Sequence, residues 1–398
     1  MKKKIGFFVP MTLGLLTAFG PFITDFYLPA MPAMSESFRT SPSLVALSLT
    51  TGMIGLAAGQ ILIGPLSDKF GRKRLLILSM VLFSIASILC IFSPNVYLFN
   101  LMRLFQGLGG AGGIVLSKSI STDMFSGRDL QYFMGLLGAI NGIAPVTAPV
   151  VGGIMTNFIS WRGIFCVLLA IGIILLVCSC FLQETLTTEK RSKAGVIHIY
   201  VNLFKVFRNP RFTLSTLGGM ASFLTFFAYI ASSPFVLQKT YGLSPLAYSL
   251  CFGFIALTIG IGSLLGARFK HQNTALKAAA IHQFLGSIAT AVCLALHVPL
   301  FILLASYIWM VIGFGLMQPA ATAIAMDSER SRAGAASAIF GASGFVAGAI
   351  ASPLVSLGDI PLTSGAVMLA GALICLVLTL SLCRQIKAEA LARKTEKA

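Results

Sequence analysis

Gly64-Pro65-Leu66-Ser67-Asp68-Lys69-Phe70-Gly71-Arg72-Lys73-Arg74 decides how the rest of the chain is read. An apolar run stops there, one acid and four cations follow, and a new apolar run begins at once. That is a very short basic turn between two membrane helices, and basic loops stay on the cytoplasmic side. A stop-transfer cluster of cations would also end a span, but it would need neither an acid at the helix end nor a glycine one turn earlier. Gly64 lets a neighbouring helix approach its backbone. Asp68 closes a helix beside cations, so it can pair with Arg72 or face the positive end of another helix. Gly71 permits the tight turn.

The flanking composition agrees. Of 398 residues, 57% are hydrophobic and only 10% charged, whereas soluble domains carry about a quarter charged residues. The expected fold class is therefore an all-α polytopic membrane protein. At ~20 residues per span there is room for about a dozen. We read spans at 6–31, 43–67, 75–93, 96–124, 130–158 and 162–182, then at 212–240, 245–268, 274–296, 299–326, 333–357 and 363–383. All should be helices, because backbone in lipid must satisfy its own hydrogen bonds. The expected organisation is a six-helix bundle over 1–183, a central loop over 184–211, a second six-helix bundle over 212–383 and a basic tail over 384–398. Within the central loop, 196–207 alternates enough for a short amphipathic surface helix. The first run follows Lys2, Lys3 and Lys4 but is too long for a signal peptide and has no small-residue cleavage site.

The net charge of +17 does not point to nucleic acid, because its cations sit in short loops at alternate span ends. The segments read as inside hold the N-terminus, the 68–74 loop, Arg128, the central loop, Arg268 with Lys270, Arg330 with Arg332, and the tail from Arg384. The segments read as outside hold only Arg39, Arg162 and Lys239. Both termini are expected in the cytoplasm, and the bias fits a bacterial inner membrane. Eight cysteines fall in apolar runs without a His or Cys partner at ligand spacing. Cys178 and Cys180 on a helix would point about 200° apart. No metal, no cofactor and no disulfide framework is expected.

The pattern G-x-L-S-D-x-x-G-R-K-R resembles the loop between helices 2 and 3 of the major facilitator superfamily of secondary transporters. The resemblance implies two six-helix bundles with a midplane site. It also implies that this loop latches the halves on the cytoplasmic face, with Asp123 and the region of Ala333 and Gly334 as partners. A weak echo, Gly262-Ser263-Leu264-Leu265-Gly266-Ala267-Arg268-Phe269-Lys270, follows the eighth span without the acid.

Asp25 is the one acid clearly inside an apolar run. A charged carboxylate there is costly, by several kcal/mol, so it suits a proton carrier that also neutralises cationic substrates; the alternative is a structural cap near Pro29 and Pro32. Arg103 stays charged and needs a partner or a wet cavity. Arg103-Leu104-Phe105-Gln106-Gly107 resembles the superfamily's helix-4 motif, whose arginine faces the cavity and takes part in proton coupling; a structural arginine is the alternative. Ala144-Pro145-Val146-Thr147-Ala148-Pro149-Val150-Val151-Gly152-Gly153 resembles the antiporter motif of exporters, with Ala148 replacing a glycine. Its Pro145 and Pro149 kink the helix, and Gly152 and Gly153 allow close packing that seals against proton leak.

Together these stretches resemble the Bcr/CflA group of bacterial drug:proton antiporters over essentially the whole chain. Where some relatives carry a second acid in the first span, this chain has Thr17. Lys118 is expected to snorkel or to pair with Asp123, and His282 to be a packing histidine. Tyr27, Asn141, Phe223, Phe227, Tyr229 and Gln318 are candidate cavity walls, with plain packing as the alternative. The resemblance implies a monomeric exporter of small amphiphilic drugs working by alternating access, its partners being substrate, protons and the lipid bilayer. A metabolite permease on the same fold is the alternative, and a membrane enzyme or sensor finds no catalytic pair. No G-x-x-x-x-G-K-[ST] loop is present, so no nucleotide drives it.

Overall fold

The computed structural model describes residues 8–191, 195, 200, 201, 203–269 and 271–395. Helices account for the regular structure, with no strand among the described residues.

The first span is a broken helix. It runs as α1 (Phe8–Thr17), α2 (Phe19–Asp25), a 3-10 turn at Leu28–Ala30 and α3 (Met31–Ser37). A proline clashes with the carbonyl four residues back and offers it no N–H. Pro21 stands four residues after Thr17, and Pro29 four after Asp25, so each helix ends where its proline requires. The span reaches Ser37, six residues beyond the expected end.

The long helices follow: α4 (Pro42–Phe70), α5 (Arg72–Ile91), α6 (Val96–Met124), α7 (Gly127–Met155), α8 (Trp161–Phe181), α9 (Pro210–Phe235), α10 (Pro245–Ala267), α11 (Gln272–Leu296), α12 (Leu300–Ser328), α13 (Ala333–Val355) and α14 (Ile360–Thr395). Ser41 caps α4 by accepting from Leu44 N at 3.3 Å, and Asn95 caps α6 by accepting from Leu98 N at 2.9 Å, as side-chain oxygens do at helix starts. Gly71, at φ 99°, separates α4 from α5. Among the described residues eleven helical stretches are long and apolar enough to cross a membrane. α6 has 29 residues, ample for a twelfth, but Asn100, Arg103, Gln106 and Lys118 dilute its apolar character.

Two expectations change. The tail from Arg384 continues α14 to Thr395, because its Ala, Lys, Glu, Leu and Arg residues are strong helix formers and Glu389 pairs with Arg211. Part of the expected 196–207 helix lies outside the described residues; Tyr200, Val201, Leu203 and Phe204 are helical, and only the end from Lys205 changes, to a 3-10 turn at Lys205–Arg208 that leads into α9.

By its contacts the chain divides into one unit of Met1–Tyr200 with Leu237–Gly253 and another of Val201–Val236 with Phe254–Ala398. In the first, α4 and α6 touch backbone to backbone: a side chain on Gly55 would strike the Leu104 carbonyl, and one on Gly107 the Gly52 carbonyl. The segment Leu237–Gly253 joins this unit because Gly153 of α7 lies against Ser249 and Gly253 against Val150. In the second unit α10 and α12 repeat the close approach, with Gly262 against the Ile312 carbonyl and Gly315 against that of Ile259. Outward faces are apolar, as lipid contact demands: Phe92, Phe158, Phe301 and Leu264 are each more than two-thirds exposed.

Candidate functional site

Asp25 is the last residue of α2 and is buried. A helix C-terminus is its negative end, so a carboxylate there gains nothing as a cap. Its Oδ1 is buried without a hydrogen-bond partner among the described residues. Those two facts argue against the structural-cap alternative.

Arg103 grips the same turn of chain. Its Nη2 donates to the Ile23 carbonyl at 2.8 Å, two residues before Asp25. Its Cζ lies 4.5 Å from the ring centre of Tyr27, two residues after Asp25, and 5.6 Å from that of Phe165. Nη1 donates to Gln106 Oε1, and Gln106 donates onward to Ser87 Oγ at 2.8 Å. Gly52 makes the room, since a Cβ there would sit 3.0 Å from Nη2. The arginine is fully buried, and polar and aromatic partners inside the bundle supply what a wet cavity would.

Magnitudes limit how well that satisfies it. Cation–π contacts contribute ~2 kcal/mol each when desolvated, against several kcal/mol for an uncompensated buried charge. Arg103 Nε has no hydrogen-bond partner among the described residues, and no ion pair is found for this guanidinium there.

The proline-rich helix reaches the same turn. A side chain on Gly152 of α7 would strike the Phe26 carbonyl, next in sequence to Asp25. Gly153, one residue on, meets Ser249 Oγ and the Pro245 carbonyl. Pro145 and Pro149 lie inside α7 without ending it.

The 64–74 loop closes a network on the first unit. Arg72 pairs with Asp68 at 2.5 Å and with Asp123 at 3.0 Å, and donates from Nη1 to Ser67 Oγ at 2.6 Å. Gly64 lies against Val115 of α6, at 3.3 Å for a Cβ placed there. Glu184 and Thr185 were not singled out by sequence. Glu184 Oε1 accepts from the backbone N–H groups of Arg72, Thr185 and Leu186 at 3.0, 3.0 and 3.1 Å, an anion at the positive start of α5. Its Oε2 occupies the space a Cβ on Gly71 would need. Thr185 Oγ1 donates to Asp123 Oδ2 at 3.1 Å. A lone acid directly after the sixth apolar run was the available signal. Asp123 and Glu184 also line a cavity of about 380 Å³.

Other candidates divide. Lys118 is exposed and pairs with no acid among the described residues; Asp123 is taken by Arg72 and Thr185. Tyr27 is fully buried, bonded to Ser48 Oγ at 2.9 Å and lying under Arg103, which it supports. Asn141 is exposed on α7. Tyr229 is buried against Tyr307 and Phe227 is nearly so, which leaves Phe223 and Gln318 half-buried. His282 stacks edgewise on Trp309, centres 6.1 Å apart.

Comparisons with known proteins agree with this architecture. Residues 13–352 match the model of the Major Facilitator Superfamily. The chain is 36% identical over 379 residues to an uncharacterised transporter of that type, YdgK of Bacillus subtilis, covering 91% of this chain and 92% of that one. It is 27% identical to a bicyclomycin resistance protein homologue of Haemophilus influenzae, covering 89% and 90%. The solved D-xylose–proton symporter superimposes with a TM-score of 0.72 at 17% identity, covering 93% of this chain and 97% of that one.

Proposed function

Because the chain belongs to the Major Facilitator Superfamily, we propose that it exports small amphiphilic drugs across the bacterial inner membrane in exchange for protons. The observation that carries this is the Asp25 turn, which joins a buried carboxylate with an unpartnered oxygen, an arginine lacking an acid, and the Gly152 contact. Drug specificity is supported by the resistance-protein homologue and by a multidrug resistance protein, MdtL of Salmonella paratyphi C, 30% identical over 247 residues, 61% of this chain.

In this reading Asp25 binds proton and substrate alternately. Deprotonated, it is drawn to Arg103, which completes the guanidinium's unmade contact; protonated or occupied by a cationic substrate, it releases the arginine to Gln106 and Ile23. Either change alters how tightly the turn between α2 and the Leu28–Ala30 segment is held. Gly152 and Gly153 keep α7 against that turn and against Ser249, so no file of water forms there. The loop at Gly64, Asp68, Gly71 and Arg72, with Asp123, is the proposed latch. Arg72 ties the ends of α4, α5 and α6 together, so the loop moves as one piece when the protein rocks. The protein acts as a monomer with both termini in the cytoplasm.

The test uses inverted membrane vesicles with an acidified lumen and a pH-sensitive dye. Lipophilic cations and neutral antibiotics added to wild-type vesicles should trigger proton release, and Asp25→Asn should abolish it. Release that survives in Asp25→Asn with every active compound would overturn the mechanism; a silent wild type that takes up radiolabelled nutrients would favour a metabolite permease.

A further inference from the structure

A second constellation lies in the second unit, where three helices meet through residues four apart. Such spacing places each pair on one helix face: Gly219 and Phe223 of α9, Phe314 and Gln318 of α12, and Phe340 and Gly344 of α13. Rings seated on glycines interlock them. Phe340 would lie 3.3 Å from a Cβ on Gly219, and Phe223 3.0 Å from one on Gly344. Phe223 meets the Phe314 ring edge to face, centres 5.0 Å apart.

Phe314 and Phe340 are buried, whereas Phe223 and Gln318 are half-buried. Gln318 is also incompletely bonded. Its Nε2 donates to the Gly219 carbonyl at 3.5 Å, which orients the amide, and its Oε1 is buried with no donor among the described residues. Buried acceptors are nearly always satisfied, and one that is not rewards whatever brings it a donor. The half-buried ring of Phe223 lies one helical turn along α9 from the Gly219 carbonyl, stacked on Phe227 at 5.9 Å between centres.

Building on the drug-export reading above, we infer that Phe223 and Gln318 form a substrate subsite for a planar aromatic group that carries a hydrogen-bond donor. The ring stacks on Phe223 and the donor reaches Gln318 Oε1. Gly344 sets the position of Phe223, so a methyl group there displaces the ring and alters which plane widths are accepted.

The test titrates purified full-length protein in detergent with two fluorescent acridines. Proflavine carries two primary amino groups; acridine orange is its analogue with both amino groups dimethylated. Wild type should bind proflavine about ten-fold more tightly, the value of one well-made hydrogen bond. Gln318→Leu should erase that preference by weakening proflavine alone, and Phe223→Leu should weaken both dyes. Gln318→Met, which keeps the chain length and also removes the amide acceptor, should erase the preference as well and serves if the leucine variant fails to fold. A wild type without preference, or a ratio that neither Gln318 variant changes, would overturn the subsite. A ratio unchanged by the Gln318 variants, in protein that still exchanges drug for protons, overturns the subsite alone; wild-type protein that shows the preference and its dependence on Gln318 but exchanges no drug for protons overturns the export reading alone.

Discussion

At the scale of single residues, Gly71 and Arg103 show how one position serves two constraints. Gly71 sits at φ 99°, a region that L side chains rarely adopt, and Glu184 Oε2 fills the space its Cβ would take. Gly71→Ala therefore meets backbone strain and displaces a carboxylate bonded to three N–H groups. The expected loss is ~2–3 kcal/mol, read as a fall in thermal unfolding temperature in detergent. A melting temperature equal to wild type would show that the Glu184 contact is dispensable. Arg103 was legible as an intramembrane charge, but its dependence on Tyr27 and Phe165 was not, because sequence spacing between 27, 103 and 165 says nothing of ring faces. Tyr27, named as a candidate cavity wall with plain packing as the alternative, lies under the arginine, a contact its sequence position did not reveal for that reason.

At the scale of elements, glycines divide into those that set helix contacts and those that do not. Gly55 and Gly107 join α4 to α6 through backbone, whereas Gly138 and Gly142 of α7 face open space. Gly55→Ala should cost ~1–3 kcal/mol through overpacking, while Gly142→Ala should be neutral or slightly stabilising, since alanine favours helix over glycine by ~1 kcal/mol. Thermal melts of both variants check the pair, and equal melts would refute the packing account. Prolines act at this scale too. Pro21 and Pro29 break the first span four residues upstream, while Pro145 and Pro149 leave α7 unbroken. The first span was read as one unbroken run, and that the second break leaves Asp25 at a helix end, on the turn that Arg103 grips, needed the packed helices.

At the scale of the whole molecule, the proposed exchange of drug for protons moving down their gradient requires that the Asp25 turn stay dry between cycles. In that proposal α7 is the cover, through Gly152 on the Phe26 carbonyl and Gly153 on Ser249. Gly152→Leu should push α7 away from the turn and open a leak. In acidified vesicles without substrate, proton efflux should rise several-fold over wild type, and in the double variant with Asp25→Asn the coupled component should vanish while the leak persists. A tight Gly152→Leu vesicle would remove the sealing role.

Hydrophobic period, charge placement and proline spacing by themselves determined twelve spans, their approximate ends and the short basic turns between them. Those quantities are local: a helix in lipid must satisfy its own backbone, and a cation in a loop registers without knowing its neighbours. The Asp68–Arg72 pair was legible for the same reason, being one helical turn apart. Only the tertiary structure decided that Glu184 closes the Arg72 network, that Gly152 rests on the Phe26 carbonyl, that Asn141 is exposed and Tyr229 buried, and that Leu237–Gly253 packs with the first unit. Each depends on which faces of distant helices meet, and in membrane helices that are apolar all round the pattern of hydrophobicity does not mark one face over another.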